Sequence, residues 1–232
     1  AAGQVAVPVT QNTLTKVYCK DSLVSYAIGY SGTILKTTDG GQTWKNTDAN
    51  LKYRLFDIQF TSASTAYIAA SNGKIFKSSD SGTVWAMHTS GTELHLYSLY
   101  FTSASQGFIA GGGTNPGSIN FSGIILKTTD GGAQWNTVYS QEGAECKSVF
   151  FTSSNEGYVV TSGGKILKTT DAGANWTANY TSGGVFFNAV HFTTKDTGYV
   201  AGYGSGKSLI LKTTSAGANW QQVCSDSIGT IS

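Results

Sequence analysis

Residues 36–44 read KTTDGGQTW, and variants of the phrase return at 77–85 (KSSDSGTVW), 127–135 (KTTDGGAQW), 168–176 (KTTDAGANW) and 212–220 (KTTSAGANW). All five tryptophans of the 232-residue chain close one of these phrases, at spacings of 41, 50, 41 and 44 residues. A period of that length is the size of one four-stranded propeller blade. Two further signatures run in phase with it. One is an alternating six-residue run: LTKVYC from Leu14, LFDIQF from Leu55, LYSLYF from Leu96, CKSVFF from Cys146 and FNAVHF from Phe187. The other is an aromatic that opens a small-residue stretch, at Tyr26, Tyr67, Phe108, Tyr158 and Tyr199. Each unit therefore reads as strand, turn, small-residue strand, GTILKTT-type strand, tight turn, and a strand beginning at Trp.

The expected fold is all-β: a five-bladed β-propeller of four-stranded antiparallel blades, forming one domain over 1–232. The units span about 12–53, 54–95, 96–145, 146–186 and 187–224, with 1–11 a closing or edge strand. Composition agrees, with 29 Gly, two Pro and abundant Thr, Ser, Val and Tyr, and no sustained amphipathic-helix spacing. No apolar run is long enough to span a membrane. Net charge is +2 with 12% charged residues and no basic cluster, which excludes a field strong enough to recruit nucleic acid.

Within the phrase, Asp39, Asp80, Asp130 and Asp171 stand two residues after a hydroxyl and two before a glycine. A short carboxylate there accepts backbone N–H bonds and closes the turn, while the glycine supplies positive φ. Trp44, Trp85, Trp135, Trp176 and Trp220 then bury large rings. Calcium would require several oxygen ligands per loop, and each phrase offers one carboxylate. Ser215 replaces the acid in the fifth copy, so a turn is expected there rather than a metal or catalytic site. Lys36, Lys77, Lys127, Lys168 and Lys212 recur beside the turn; solvated lysines that deter edge-to-edge strand pairing are the expectation, with a functional basic belt as the alternative.

The pattern S/T-x-D-x-G-x-x-W resembles the Asp-box of sialidase-type (BNR) propellers. With GYVAG upstream, the longer phrase GTILKTTDGGQTW is similar to the repeats of photosystem II assembly and stability factors and their secreted relatives. The resemblance covers about residues 12–224. It implies that Asp-boxes are peripheral turns and that ligands meet the opposite rim or the channel. Sialidases hold their substrate with three arginines, whereas this chain has one, Arg54. Xyloglucan-cleaving relatives set paired acids between two propellers, and five units make one ring. The assembly factors resemble seven-bladed rings with an arginine-rich patch, from which this chain departs.

His88, His95 and His191 fall at non-equivalent places without metal-ligand spacing, so no metal and no cofactor is expected. His191 shares a strand slot with Tyr18, Gln59, Tyr100 and Phe150, where ring packing is expected. What departs from the repeat is free to bind. Unit three carries an insertion, GGGTNPGSINFSG at 111–123, with Asn115, Asn120 and Phe121; unit five has GYGSGKS at 202–208, with Tyr203. The linkers before each first strand place Tyr53, Arg54, His95, Glu145 and Phe186 around the same rim.

Two readings follow. One is a non-catalytic, secreted or cell-surface module that binds a protein partner through its rim. The other is a carbohydrate-binding propeller in which Tyr30, Tyr53, Phe186 or Tyr203 stacks on sugars. A glycoside hydrolase would need an unrecognised acid pair. The opening AAGQVAVPV resembles a mature end after signal removal, giving a secreted, extracellular or periplasmic expectation. A monomer, or a module of a larger assembly, is expected. Of the three cysteines, Cys146 fills an apolar slot. Cys19 and Cys224 lie in units that a closed ring makes neighbours, so either a seam disulfide or three free thiols follows.

Overall fold

The computed structural model describes residues 9–47, 49–114 and 117–227. Five four-stranded antiparallel sheets follow one another along the chain and form a β-propeller. Blade one holds β1 (Leu14–Cys19), β2 (Ser25–Gly29), β3 (Ile34–Thr37) and β4 (Lys45–Asn46). Blade two holds β5 (Leu55–Phe60), β6 (Ala66–Ala70), β7 (Lys74–Ser78) and β8 (Ala86–Thr89). In blade three are β9 (His95–Phe101), β10 (Gly107–Thr114), β11 (Phe121–Thr128) and β12 (Asn136–Glu142). Blade four has β13 (Cys146–Phe151), β14 (Gly157–Thr161), β15 (Lys165–Thr169) and β16 (Thr177–Thr181). Blade five has β17 (Val185–Phe192), β18 (Gly198–Gly204), β19 (Lys207–Thr213) and β20 (Gln221–Ser227). Each fourth strand starts one residue after its Trp, because the Trp still belongs to the turn. The first strands of successive blades touch one another and form the inner wall.

The KTTD turns close through their hydroxyl and carboxylate. Thr37 Oγ1 accepts the Gly41 N–H at 2.9 Å, and Asp39 Oδ1 accepts the Thr43 N–H at 2.9 Å. Asp80, Asp130 and Asp171 repeat the pattern with the N–H groups of Val84, Gln134 and Asn175. In the fifth copy Ser215 Oγ accepts the Asn219 N–H at 3.1 Å, the weaker form of the same turn.

The turns then serve the blade before them. Tyr26 Oη and Lys36 Nζ of blade one both donate to the Ser81 carbonyl of blade two, at 2.8 and 3.2 Å. Tyr67 and Lys77 donate to Gly131 O at 2.6 and 2.9 Å, and Tyr158 and Lys168 to Ala216 O at 2.6 and 2.8 Å. Between blades three and four Phe108 lacks the hydroxyl, and Lys127 alone reaches Ala172 O, at 2.8 Å. This corrects the expectation for the lysines. Lys36, Lys77, Lys127 and Lys168 lie over the aromatic rings of their own blades and fasten neighbouring blades rather than guarding an edge.

Aromatic packing sits beside each clasp. Tyr67 stacks on Phe101 at 4.3 Å, Phe108 on Phe151 at 4.2 Å and Tyr158 on Phe192 at 4.2 Å, and the Trp of the second blade meets that Phe edge-on. Inner strands are pinned as well. Asp57 accepts the Leu99 N–H at 2.9 Å and pairs with Lys16 at 3.1 Å, joining blades one to three. Burial pushes the Asp57 carboxyl up, and Lys16 opposes that shift.

The four apolar clusters join blades one to two, two to three, three to four and four to five; none among the described residues joins five to one. No disulfide joins Cys19, Cys146 or Cys224, so none staples the seam. The closing strand expected at 1–11 falls mostly on residues 1–8, which lie outside the described residues, and residues 9–11 form no strand.

The junctions predict a gain of stability. Phe108→Tyr should supply the missing donor to Ala172 O and raise stability by about 1 kcal/mol, which urea denaturation reads out; a loss would mean that this junction differs from the others. Acid should act on the turns. The Thr43 hydroxyl and N–H hold Asp39 at about 2, and the Asn175 N–H and side chain hold Asp171 at about 2. Their folded-state values are depressed, so their contribution is complete above about pH 4 and is lost as the pH falls toward about 2. The thermal midpoint measured across that window should fall less steeply for Asp39→Asn/Asp171→Asn than for the unaltered chain.

Candidate functional site on the rim

Antiparallel order places the Asp-box turns, which join third to fourth strands, at one end of every blade. The second-to-third hairpins and the linkers entering the next blade meet at the other end. Backbone bonds lock the two together: the Ser71 N–H donates to Arg54 O at 2.9 Å, the Gly73 N–H to Leu94 O at 2.8 Å and the Ser162 N–H to Glu145 O at 2.9 Å. The insertion of unit three forms the extended β10–β11 hairpin at this rim. Gly112 makes that possible, since a Cβ there would sit 2.7 Å from Glu145 Cβ and 2.6 Å from Ser122 O. The linker carrying Glu145 therefore runs directly against the hairpin.

Two cavities open beside the hairpin. The larger, about 710 Å³, lies between blades two and three and is lined by Tyr53, His95, Lys74, Glu93 and the hairpin residues Gly117 and Ser118. The smaller, about 290 Å³, lies over blades three to five and is lined by Phe121, Glu145, Lys147, Phe186, Asn188 and Tyr203. Three of its walls are exposed aromatics: Phe121 at 54%, Phe186 at 44% and Tyr203 at 45%. Phe186 and Tyr203 stack with centroids 5.1 Å apart and planes 14° apart.

At its floor the charges are fixed. Tyr97 Oη donates to Glu145 Oε1 at 2.6 Å, and Lys147 Nζ lies 3.1 Å from Glu145 Oε2 and 3.7 Å above the Tyr97 ring. Burial, followed by the bond to Glu145, raises the Tyr97 phenol, so it stays a donor. His95 Nδ1 accepts the Asn72 N–H at 3.2 Å. Burial pulls the His95 imidazole below the ordinary histidine value; Glu145 pulls it back up, and Arg54 and Lys147 push it down. Phe56 connects the two cavities by packing on both His95 and Tyr97.

The rim residues singled out in the sequence thus divide. Phe121, Glu145, Phe186 and Tyr203 converge on one cavity, and Tyr53 and His95 on the other. Arg54 turns aside to stack its guanidinium on Tyr30 at 4.8 Å. Asn120 is exposed and holds the hairpin tip through its N–H to Ser118 Oγ at 3.0 Å. Asn115 lies outside the described residues. His191 packs edge-on against Phe150 at 4.8 Å. Tyr97 and Lys147 were missed, although one signal marks them. The second slot of the first-strand motif holds Thr15, Phe56, Tyr97, Lys147 and Asn188, no two alike, while the fourth slot stays aliphatic at Val17, Ile58, Leu99, Val149 and Val190. Among the described residues no cluster of His, Cys, Asp and Glu has metal-binding geometry.

A family model described as photosynthesis system II assembly factor YCF48 matches residues 133–229. The chain is a BNR-type β-propeller related to that family. The match takes in the last strand of blade three and all of blades four and five. No curated protein matches the chain. Among solved structures, an ancestral GH74 enzyme overlays it with a TM-score of 0.75 at 19% identity, covering 96% of this chain and 33% of the enzyme. A GH74 xyloglucanase from Xanthomonas campestris gives 0.72 at 14% identity, covering 91% and 38%. A structure of YCF48 bound to D1 peptide gives 0.49 at 17% identity, covering 92% and 81%. The chain spans about a third of the GH74 enzymes' length, 33% and 38% in the two cases, and at these identities the likeness shows the fold alone.

The His95 environment gives a direct test. Its NMR titration midpoint should lie below that of an ordinary histidine, and Glu145→Gln should move it further down because a nearby negative charge is removed. An upward movement would show that the two groups do not face each other.

Proposed function

We propose that the chain is a non-catalytic interaction module that binds a protein partner through the rim over blades three to five. The carrying observation is the cluster of Phe121, Phe186 and Tyr203, exposed around a fixed Glu145–Lys147 pair. Rigid aromatics bury large area at low entropic cost, and a few placed charges set orientation. An extended peptide segment with an apolar anchor and one charged group suits that arrangement. The match of residues 133–229 to an assembly-factor family supports a protein partner. Glu145 supports a binding rather than a hydrolytic role, because both its oxygens are already engaged and, among the described residues, no second carboxylate lines its cavity. The charge-poor surface rich in Ser, Thr, Asn and Gly supports an exported module. One observation favours a second reading: the exposed, nearly parallel Phe186–Tyr203 pair also suits the face of a sugar ring.

Peptide and glycan arrays, followed by calorimetry of the hits, discriminate the two. Peptide binding that falls at least tenfold in Phe186→Ala/Tyr203→Ala is expected. Reproducible sugar binding without peptide binding would reverse the order, and turnover of xyloglucan or chromogenic glycosides would overturn the non-catalytic assignment.

A further inference from the structure

The larger rim cavity, about 710 Å³ between blades two and three, takes no part in the function assigned above. Its floor nevertheless continues into the smaller cavity. Phe56 packs on His95 at 6.1 Å and on Tyr97 at 5.3 Å, and Tyr97 is the residue that holds Glu145. These rings connect the two cavities, so an extended segment anchored in one can reach the other.

The polar groups of the larger cavity divide by shelter. Lys74 and His95 are half-buried, whereas Glu93, the carboxylate in the lining, is exposed. The His95 tautomer is set by its neighbour: Nδ1 accepts the Asn72 N–H at 3.2 Å, so in the neutral ring Nε2 carries the proton and is a donor. Among the described residues no hydrogen bond or ion pair engages His95 Nε2, Lys74 Nζ or the Glu93 carboxylate. Arg54 and Lys147 lie within electrostatic reach of His95, as does Glu145, whose charge Lys147 and the Tyr97 hydroxyl already engage. The sheltered part of the cavity thus offers a ligand one ammonium and one imidazole N–H, with a carboxylate only on the exposed side.

We propose that this cavity is a second subsite, which takes an acidic side chain of the partner's segment. Lys74 would supply the opposite charge, and His95 Nε2 would donate a hydrogen bond to a carboxylate oxygen. Charge-assisted bonds of this kind are about twice as strong as neutral ones. Glu93 opposes the incoming charge from the exposed side and lowers the affinity. A basic side chain would meet Glu93 alone and would leave the Lys74 ammonium and the imidazole N–H without acceptors. The subsite rests on the peptide reading of the rim and deepens it by giving the segment an acidic residue beyond its apolar anchor.

Two blocked amino acids test the subsite by NMR with the full chain at neutral pH: N-acetyl-glutamate N-methylamide and its lysine counterpart. The glutamate compound should give weak, saturable shifts centred on the amides of Asn72, His95 and Thr114 and on the His95 ring, and the lysine compound should give none. Lys74→Met, which keeps the apolar stem, should abolish the shifts, and Glu93→Gln should tighten binding roughly threefold. The absence of saturable shifts, shifts that survive Lys74→Met, shifts centred on Phe186 and Tyr203 instead, or an equal response to the lysine compound overturns the proposal. Peptides that still bind through Phe186 and Tyr203 while the glutamate compound does not would remove the subsite alone, whereas failure of every peptide to bind would remove the reading of the rim as well.

Discussion

A single backbone carbonyl per turn, that of the residue after the Asp-box acid, is the contact on which the array depends. In the second turn the Ser78 hydroxyl takes the Gly82 N–H and the Asp80 carboxylate the Val84 N–H, while the Ser81 carbonyl faces Tyr26 and Lys36 of the preceding blade. Tyrosine and lysine then converge on it from the neighbouring blade. The ring beneath them requires a glycine in the turn, and the same glycine supplies the positive φ that the turn needs. One short phrase thus closes a hairpin and docks a blade at once.

Much of this was legible in the chain. The five-fold repetition of the phrase fixed the number of sheets, and the alternation in LFDIQF and its copies marked the inner strands and their buried slots. The lysines were misread for a definite reason: strand alternation tells which side of a sheet a residue occupies but not whether another sheet covers that side. Trp was placed one residue too deep in its strand because a large apolar residue reads as strand even while its backbone still belongs to the turn. The seam was illegible in kind, since a repeat count carries no curvature.

The rim was partly legible by the opposite logic. Positions that break the repeat are not needed to build a blade, and those in the β10–β11 hairpin, in the β18–β19 region and at Glu145 and Phe186 gather about one small cavity. Arg54 broke the repeat equally but was drawn off by the Tyr30 ring, an encounter that no local pattern announces. Tyr97 and Lys147 escaped notice because they sit inside the repeated phrase, where variation is easily taken for tolerance. Gly112 packs on Glu145, so a backbone accommodation in the hairpin lets the linker into the next blade run directly against it.

Each clasp involves only adjacent blades, and four of the five Asp-box turns receive one from within the chain. A gene that gains or loses one whole repeat therefore disturbs a single pair of faces and regenerates the same pair at the new boundary. The remaining clasps are untouched by such a change in copy number, whereas the hairpin between β10 and β11 stays tied to the linker entering the next blade, because Gly112 packs on Glu145.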